Sequence, residues 1–259
     1  MTKMTLTLGS RLSPSARIIF NRHRSLIIQP ILIFALAFVL WFFVSRATLD
    51  QIEAVTINWA FISQAIKDHL ILSFASAAII LSIAIPGGIL LTRPRAKMFT
   101  PLVLIIANIG QAFPAAGVLI IAGIAFGFGK PIAIFSFAAF GLLPILRNTI
   151  VGLQEIDPFV VESARGMGMT ARQALRRIEL PLAVPVILAG VRTTLILTVG
   201  VATLGVFVNG GGLGTLIIPG LKLNRDLVLV TGGILTIIVA FTMDWLARAA
   251  EELLRPRGI

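Results

Sequence analysis

Residue types that carry covalent or metal chemistry are scarce in this chain. It contains no cysteine and, among its 259 residues, only two histidines, His23 and His69, so thiolate and histidine-based metal sites are not expected. A phosphate-binding loop would read G-x-x-x-x-G-K-[ST], but the nearest string has Ile124 in place of the first glycine and Pro131 in place of the hydroxyl residue. We therefore expect a chain that is not an enzyme and has no catalytic residues.

The composition indicates that lipid is the main solvent of this chain. It is 57% hydrophobic and 13% charged, with a mean hydropathy of +0.99, whereas soluble domains are about 25% charged. Lipid requires helices or a closed barrel, and the alternating strand pattern of a barrel is absent. We expect an all-α polytopic membrane protein with about six transmembrane helices. Charge-free runs place the spans, within a transmembrane domain of residues 25–247, at about residues 25–45, 69–92, 101–125, 131–147, 183–208 and 227–246.

The net charge of +11 is distributed unevenly between the two sides of the predicted spans. Of the 22 Lys and Arg residues, 16 lie on the side of the two termini, 5 lie on the opposite side, and Arg192 lies within the fifth span. Because positively charged segments are retained in the cytoplasm, we expect both termini there, with tails at residues 1–24 and 248–259. This placement explains the basic surplus, so no nucleic-acid partner is expected.

The longest polar stretch between predicted spans, residues 155–181, begins with the signals of a short helix. Asp157 followed by Pro158 is typical of a capping residue and a proline in the first helical position. Gly168 suits the left-handed conformation that often ends a helix. We call residues 155–181 the helical loop and expect it to be compact, amphipathic and cytoplasmic.

A second short helix is predicted in the same loop. Thr170 and Gln173 have the spacing of a capping box, in which each side chain bonds to the backbone of the other. Proline interrupts helical hydrogen bonding. We therefore expect Pro181 to end this second helix and Pro185 to begin the next span.

Residues 162–181 resemble the EAA motif of bacterial ABC importer permeases, which reads Glu-Ala-Ala, three residues, Gly, nine residues, Ile, one residue and Leu-Pro. The residues that match at this spacing are Glu162, Ala164, Gly168, Ile178, Leu180 and Pro181. Ser163 replaces the second residue of the motif, a change from one small residue to another. The flanking segments LLPILRNTIVGLQEIDP, LPLAVPVILAGVR and NGGGLGTLI resemble the branch that imports glycine betaine, choline and carnitine, and the resemblance extends from about residue 60 to the end.

This resemblance implies a type I ABC importer-like fold in the bacterial inner membrane, in which the helical loop docks on a separate ATPase. The residues that it assigns to this coupling contact are Glu162, Ser163, Ala164, Gly168, Met169, Ile178, Leu180 and Pro181. Glu162 also has the spacing for an ion pair with Arg165. The implied partners are an ATPase dimer, a second permease chain (the same chain or a paralogue), a periplasmic or lipid-anchored substrate-binding protein, and membrane lipid. ATP and magnesium are expected on the ATPase, and no cofactor on this chain.

Polar and bent positions in the spans are candidates for the transport pathway or a gate. Arg192 is predicted either to face a cavity or partner or to extend to the interface. Residues 111–114 indicate a kink in the third span, which either lines the pathway or serves packing. Residues 209–214, the glycine-rich segment, are either an outer gate or receptor contact, or a flexible turn. The candidates are Gln111, Pro114, Asn148, Arg192, Asn209, Gly211 and Gly212.

Two other transport functions remain open from the sequence. The first is a permease for another small solute such as an amino acid, because the methionine branch is similar in the glycine-rich segment. The second is a self-contained secondary transporter, which usually needs carboxylates or broken helices within the membrane. The predicted spans contain no Asp or Glu other than Asp244, at the inner edge of the sixth, and this weakens the second alternative.

Overall fold

The computed structural model describes residues 14–254 of the chain, with side chains for residues 26–253. Every regular element in these ranges is helical. The α-helices are α1 Pro14–Arg46, α2 Gln51–Thr56, α3 Trp59–Leu91, α4 Thr100–Ala112, α5 Ala115–Phe126, α6 Lys130–Gln154, α7 Pro158–Gly166, α8 Ala171–Ala174, α9 Leu180–Ala202, α10 Gly214–Lys222 and α11 Asp226–Leu254. The outer parts of the two predicted tails, residues 1–13 and 255–259, lie outside the described residues.

Within residues 14–254, five helices are long and apolar enough to cross a membrane. They are α1 from Leu26 onward, α3, α6, the helix that contains α9, and α11. A sixth span is present if α4 and α5, which meet at an angle of 92°, cross together. The break follows from Pro114, which disfavours a helical conformation at Phe113, and Phe113 is extended with a ψ of 142°. The kink predicted at residues 111–114 is therefore a break at which the chain turns through about a right angle.

The helical loop continues into the membrane without the interruption that we predicted at Pro181. A single helix runs through residues 171–208, so the expectation that Pro181 ends one helix and Pro185 begins another is wrong. A π-helical turn at Leu175–Glu179 precedes Pro181, and the Leu180 N–H donates to the Leu175 carbonyl. This wider turn shifts the carbonyls that the proline ring would otherwise meet, so the helix passes the proline intact.

Helices α3, α6 and α9 form the centre of the bundle, where glycines allow close contact. A Cβ on Gly88 of α3 would lie 2.7 Å from Thr149 of α6, and a Cβ on Gly190 of α9 would lie 2.8 Å from Asn148 of α6. These distances indicate that the backbones approach more closely than larger residues permit. Helix α11 packs against α9, α10 and α1 and completes the bundle. The helical loop lies at one end of this bundle and the glycine-rich segment at the other.

Candidate functional site

Capping side chains start both short helices of the helical loop as the sequence predicts. The Phe159 N–H donates to the Asp157 carboxylate over 2.9 Å at the start of α7. At the start of α8, the Gln173 N–H donates to Thr170 Oγ1 over 3.3 Å, and the Thr170 N–H donates to Gln173 Oε1 over 2.8 Å. The two helix starts are thus fixed by local contacts.

Gly168 ends α7 in a left-handed turn, also as predicted. Its φ is +89°, a conformation that costs glycine little and other residues more. The Gly168 N–H donates to the Arg165 carbonyl over 3.0 Å, and the Met169 N–H donates to the Ala164 carbonyl over 3.2 Å. These two bonds form a Schellman motif, so the turn between α7 and α8 has a defined geometry.

The predicted coupling residues differ in exposure. Ala164 is buried, at 2% exposure, and holds α7 against the rest of the loop. Glu162, Ser163 and Gly168 are exposed, whereas the other four are half-buried: Met169, Ile178, Leu180 and Pro181. Glu162 and Arg165 form no ion pair in the described part of the chain, so the pairing that their spacing favours is not made.

Three large apolar side chains of the helical loop are exposed. Phe159 is 75% exposed, Val160 42% and Met167 74%. We call these three residues the loop patch. Phe159 and Val160 lie within one turn of exposed Glu162 on α7.

An ion pair that the sequence reasoning missed joins the helical loop to the bundle. Arg93 Nη2 lies 2.7 Å from Glu179 Oε2. Glu179 is buried, at 7% exposure. It is the variable residue between Ile178 and Leu180 of the motif, and this position is the only sequence feature that points to it. A cavity of about 730 Å³ lies beside the pair, and Lys97 and Arg165 contribute to its lining.

The glycine-rich segment is packed against α3 at the opposite end of the bundle. The Leu213 N–H donates to Nδ1 of His69, which is fully buried. Gly211 and Gly212 have φ values of +79° and +89°, and a Cβ on Gly211 would lie 2.7 Å from the Asp68 carboxylate. The segment is therefore packed closely against α3, and a larger side chain at Gly211 would collide with the Asp68 carboxylate.

Asp68 also holds the start of α6 at this end. Lys130 Nζ lies 2.5 Å from its carboxylate, and Gln64 Nε2 donates to it over 2.9 Å. Asn209 precedes the glycines in a left-handed conformation with a φ of 58°. The Asp68 carboxylate of α3 therefore binds the first residue of α6 and lies next to the glycine-rich segment.

Two of the predicted pathway residues make hydrogen bonds between helices. Asn148 Nδ2 donates to the Val186 carbonyl of α9 over 3.2 Å. Gln111 Nε2 donates to the Phe140 carbonyl of α6 over 3.2 Å. Pro114 is exposed at the bend between α4 and α5. These residues belong to contacts between different pairs of helices, so the structure does not bring the seven candidates into one site.

Arg192 has a protein partner within the bundle. Its Nε donates to a carboxylate oxygen of Asp244 on α11. Gln29 of α1 donates to the other oxygen over 2.8 Å, and Arg248 donates to the same oxygen over 3.1 Å. Of the two positions expected for Arg192, the one facing a partner is therefore observed, and the Asp244 cluster joins α1, α9 and α11.

Comparison with known proteins identifies the family of this chain. Residues 84–256 match the family described as binding-protein-dependent transport system inner membrane component. The chain belongs to this family. Curated relatives include the osmoprotectant import permease protein OsmY of Salmonella typhimurium, 37% identical over 82% of this chain and 88% of its own length. A choline transport system permease protein of Bacillus subtilis is 37% identical over 74% and 88%, and a carnitine transport permease protein of Listeria monocytogenes is 36% identical over 81% and 94%.

The fold of this permease is also that of a solved importer. It matches a chain of the MetNI methionine ABC transporter in an inward-facing conformation, with a TM-score of 0.65 and 25% identity, over 75% of this chain and 96% of that chain. The expected fold class, an all-α type I ABC importer-like permease, is confirmed. The permease is a multi-pass inner-membrane transport subunit and not an enzyme. Its family implies, in general terms, an ATPase and a substrate-binding protein as partners.

Proposed function

We propose that this permease forms the pathway for a small quaternary-ammonium osmoprotectant of the glycine betaine, choline or carnitine type. The observation that carries the proposal is that relatives 36–37% identical over most of both chains are named for osmoprotectant, choline and carnitine transport. The methionine importer matches at 25% identity and is the less supported alternative. A separate binding protein delivers the solute, and two copies of a separate ATPase, which bind ATP and magnesium, drive its import.

The helical loop is the proposed contact with the ATPase. Its two helices have fixed starts and a fixed turn at Gly168, so it presents one shape to a partner. The loop patch supplies exposed apolar surface beside Glu162, which suits a protein groove. In this proposal Glu162 and Ser163 contact the ATPase directly, whereas Ala164, Ile178, Leu180 and Pro181 hold the loop in shape.

The orientation follows from the charge distribution and remains part of the proposal. The helical loop, with Arg165 and three further arginines at 172, 176 and 177, lies in the cytoplasm together with both termini. The glycine-rich segment, residues 209–214, then lies at the outer face, where it acts as a gate or a contact for the binding protein. A second permease chain, the same or a paralogue, completes the pathway beside the exposed bend at Pro114.

Reconstitution of the complete complex tests the proposed substrate class. The permease, its ATPase and its binding protein are placed in liposomes loaded with ATP, and uptake of radiolabelled choline, carnitine, glycine betaine and methionine is compared. We expect ATP-dependent uptake of at least one quaternary-ammonium compound and none of methionine. Uptake of methionine alone would assign the permease to the amino-acid alternative, and uptake that persists without the ATPase would indicate a secondary transporter.

A further inference from the structure

We propose that Arg93 and Glu179 are positioning residues that pass movement of the helical loop directly to α3. The proposal rests on the proposed function of the loop as the ATPase contact. Helix α9 follows the second part of the loop, because residues 171–208 form one continuous helix. Helix α3 is far from the loop in sequence, so it needs a contact in space to respond to the same movement.

The geometry of Arg93 makes it a firm attachment to α3. Its Nη2 and Nε donate to Thr92 Oγ1 over 3.0 and 3.2 Å, and its Nε also lies 3.3 Å from the Ile89 carbonyl. The guanidinium is therefore held by the last turn of α3 while it binds Glu179 over 2.7 Å. A displacement of Glu179 pulls on the helix end as well as on the side chain.

Glu179 is placed where a movement of the loop has a large effect. It is the last residue of the π-helical turn at Leu175–Glu179, between the loop and α9, and such turns are frequent at functional positions. Its carboxylate is largely removed from water and so depends on Arg93 for charge compensation. The cavity of about 730 Å³ beside the pair leaves space for the loop to shift.

Helix α3 extends from this pair to the glycine-rich segment. It has 33 residues, which corresponds to a length of about 50 Å. Asp68 and His69, in the N-terminal third of this helix, contact Lys130 and the glycine-rich segment. A movement that enters α3 at Arg93 therefore reaches Asp68 and the glycine-rich segment through one continuous helix, which includes Pro86.

The test uses the reconstituted complex with three variants and a matched control. Arg93→Gln and Glu179→Gln remove one charge each, and the combined Arg93→Glu and Glu179→Arg variant reverses the pair. Arg95→Gln is the control, because Arg95 is exposed and has no ion pair in the described part of the chain. Co-purification of the ATPase, binding-protein-stimulated ATP hydrolysis and solute uptake are measured for each.

We expect the single variants to retain the ATPase but to lose about tenfold in uptake per ATP hydrolysed. The reversed pair should recover to within about threefold of the original permease, and Arg95→Gln should be unchanged. Normal uptake per ATP in both single variants overturns the proposal. Loss of the ATPase, or absence of the permease from the membrane, in the single variants also overturns it, because the pair then serves docking or folding.

A separate variant tests docking of the helical loop on the ATPase independently of the Arg93–Glu179 pair. Phe159→Asp places a charge in the loop patch, away from Arg93 and Glu179, and is expected to reduce co-purification of the ATPase. If this variant keeps the ATPase with full uptake, the proposed docking surface is wrong. The result for Arg93 and Glu179 concerns only the transmission of movement after docking.

Discussion

At the scale of single residues, several charged side chains join distant parts of the chain, and one glycine forms a turn. Arg192, Glu179 and Asp68 are each paired with a residue from a distant part of the chain. Gly168 is used for its left-handed backbone. In a chain with 13% charged residues, each such pair costs desolvation, so its presence indicates a specific structural or functional requirement.

The backbone at Gly168 gives a prediction for coupling. Gly168→Val is expected to strain the turn between α7 and α8 by about 1–2 kcal/mol, because a β-branched residue is disfavoured at a φ of +89°. Binding-protein-stimulated ATP hydrolysis should fall while the amount of permease in the membrane is unchanged. Gly166→Ala is the matched control, since a Cβ there meets open space, and Gly168→Asn should be intermediate. Equal hydrolysis rates for all three variants would contradict the role of the turn.

The Asp244 cluster gives a prediction for stability. Asp244→Asn leaves the guanidinium groups of Arg192 and Arg248 without their carboxylate and should cost about 2 kcal/mol, given that both are about one-third exposed. Arg192→Gln should cost less, because Asp244 keeps Arg248 and Gln29. Thermal unfolding of the purified permease in detergent measures both. A larger loss for Arg192→Gln than for Asp244→Asn would show that the carboxylate is not the centre of the cluster.

At the scale of elements, the proposed transmission of movement depends on the helical loop, helix α3 and the glycine-rich segment. The loop is fixed by local capping contacts, and α3 is a continuous helix of 33 residues. The glycine-rich segment depends on positions where no Cβ fits. In the proposed transmission these elements move as units, as packed elements do in switching proteins.

Glycine substitutions test how closely the glycine-rich segment is packed against its neighbours. Gly214→Ala is expected to disrupt packing, because a Cβ would lie 1.8 Å from the Thr203 carbonyl oxygen, a backbone atom. The variant should therefore lower the unfolding temperature and reduce uptake. Gly233→Ala, in α11 and facing open space, should instead be neutral or stabilise by up to about 1 kcal/mol. Similar unfolding temperatures for the two variants would mean that the segment is loose.

At the scale of the whole molecule, the permease contains no native cysteine, so single cysteines can report its orientation. Arg172→Cys in the helical loop, outside the proposed ATPase contact, should react with a membrane-impermeant maleimide only after the cell is opened. Asn209→Cys in the glycine-rich segment should react from outside intact cells. Both positions are exposed in the described chain. The reverse labelling pattern would invert the proposed orientation, together with the assignment of the loop to the ATPase.

Much of the fold and part of the candidate site could be predicted from the sequence. The caps at Asp157 and Thr170 and the turn at Gly168 depend on neighbouring residues, so local patterns were enough to find them. The partners Arg93 and Glu179 lie 86 positions apart, and no local rule pairs them. The continuous helix through Pro181 depends on a π-helical turn that no residue type signals. Packing between distant helices decides such features, and a single sequence does not display it.

In the proposed function, this permease transports only when a separate ATPase acts through the helical loop. The most direct measurement is uptake of radiolabelled choline into liposomes that contain the permease and its binding protein, with and without the ATPase and ATP, and with Phe159→Asp in parallel. We expect uptake only in the complete complex with ATP, and a large loss for Phe159→Asp. Full uptake without the ATPase, or from the Phe159→Asp complex, would contradict this expectation.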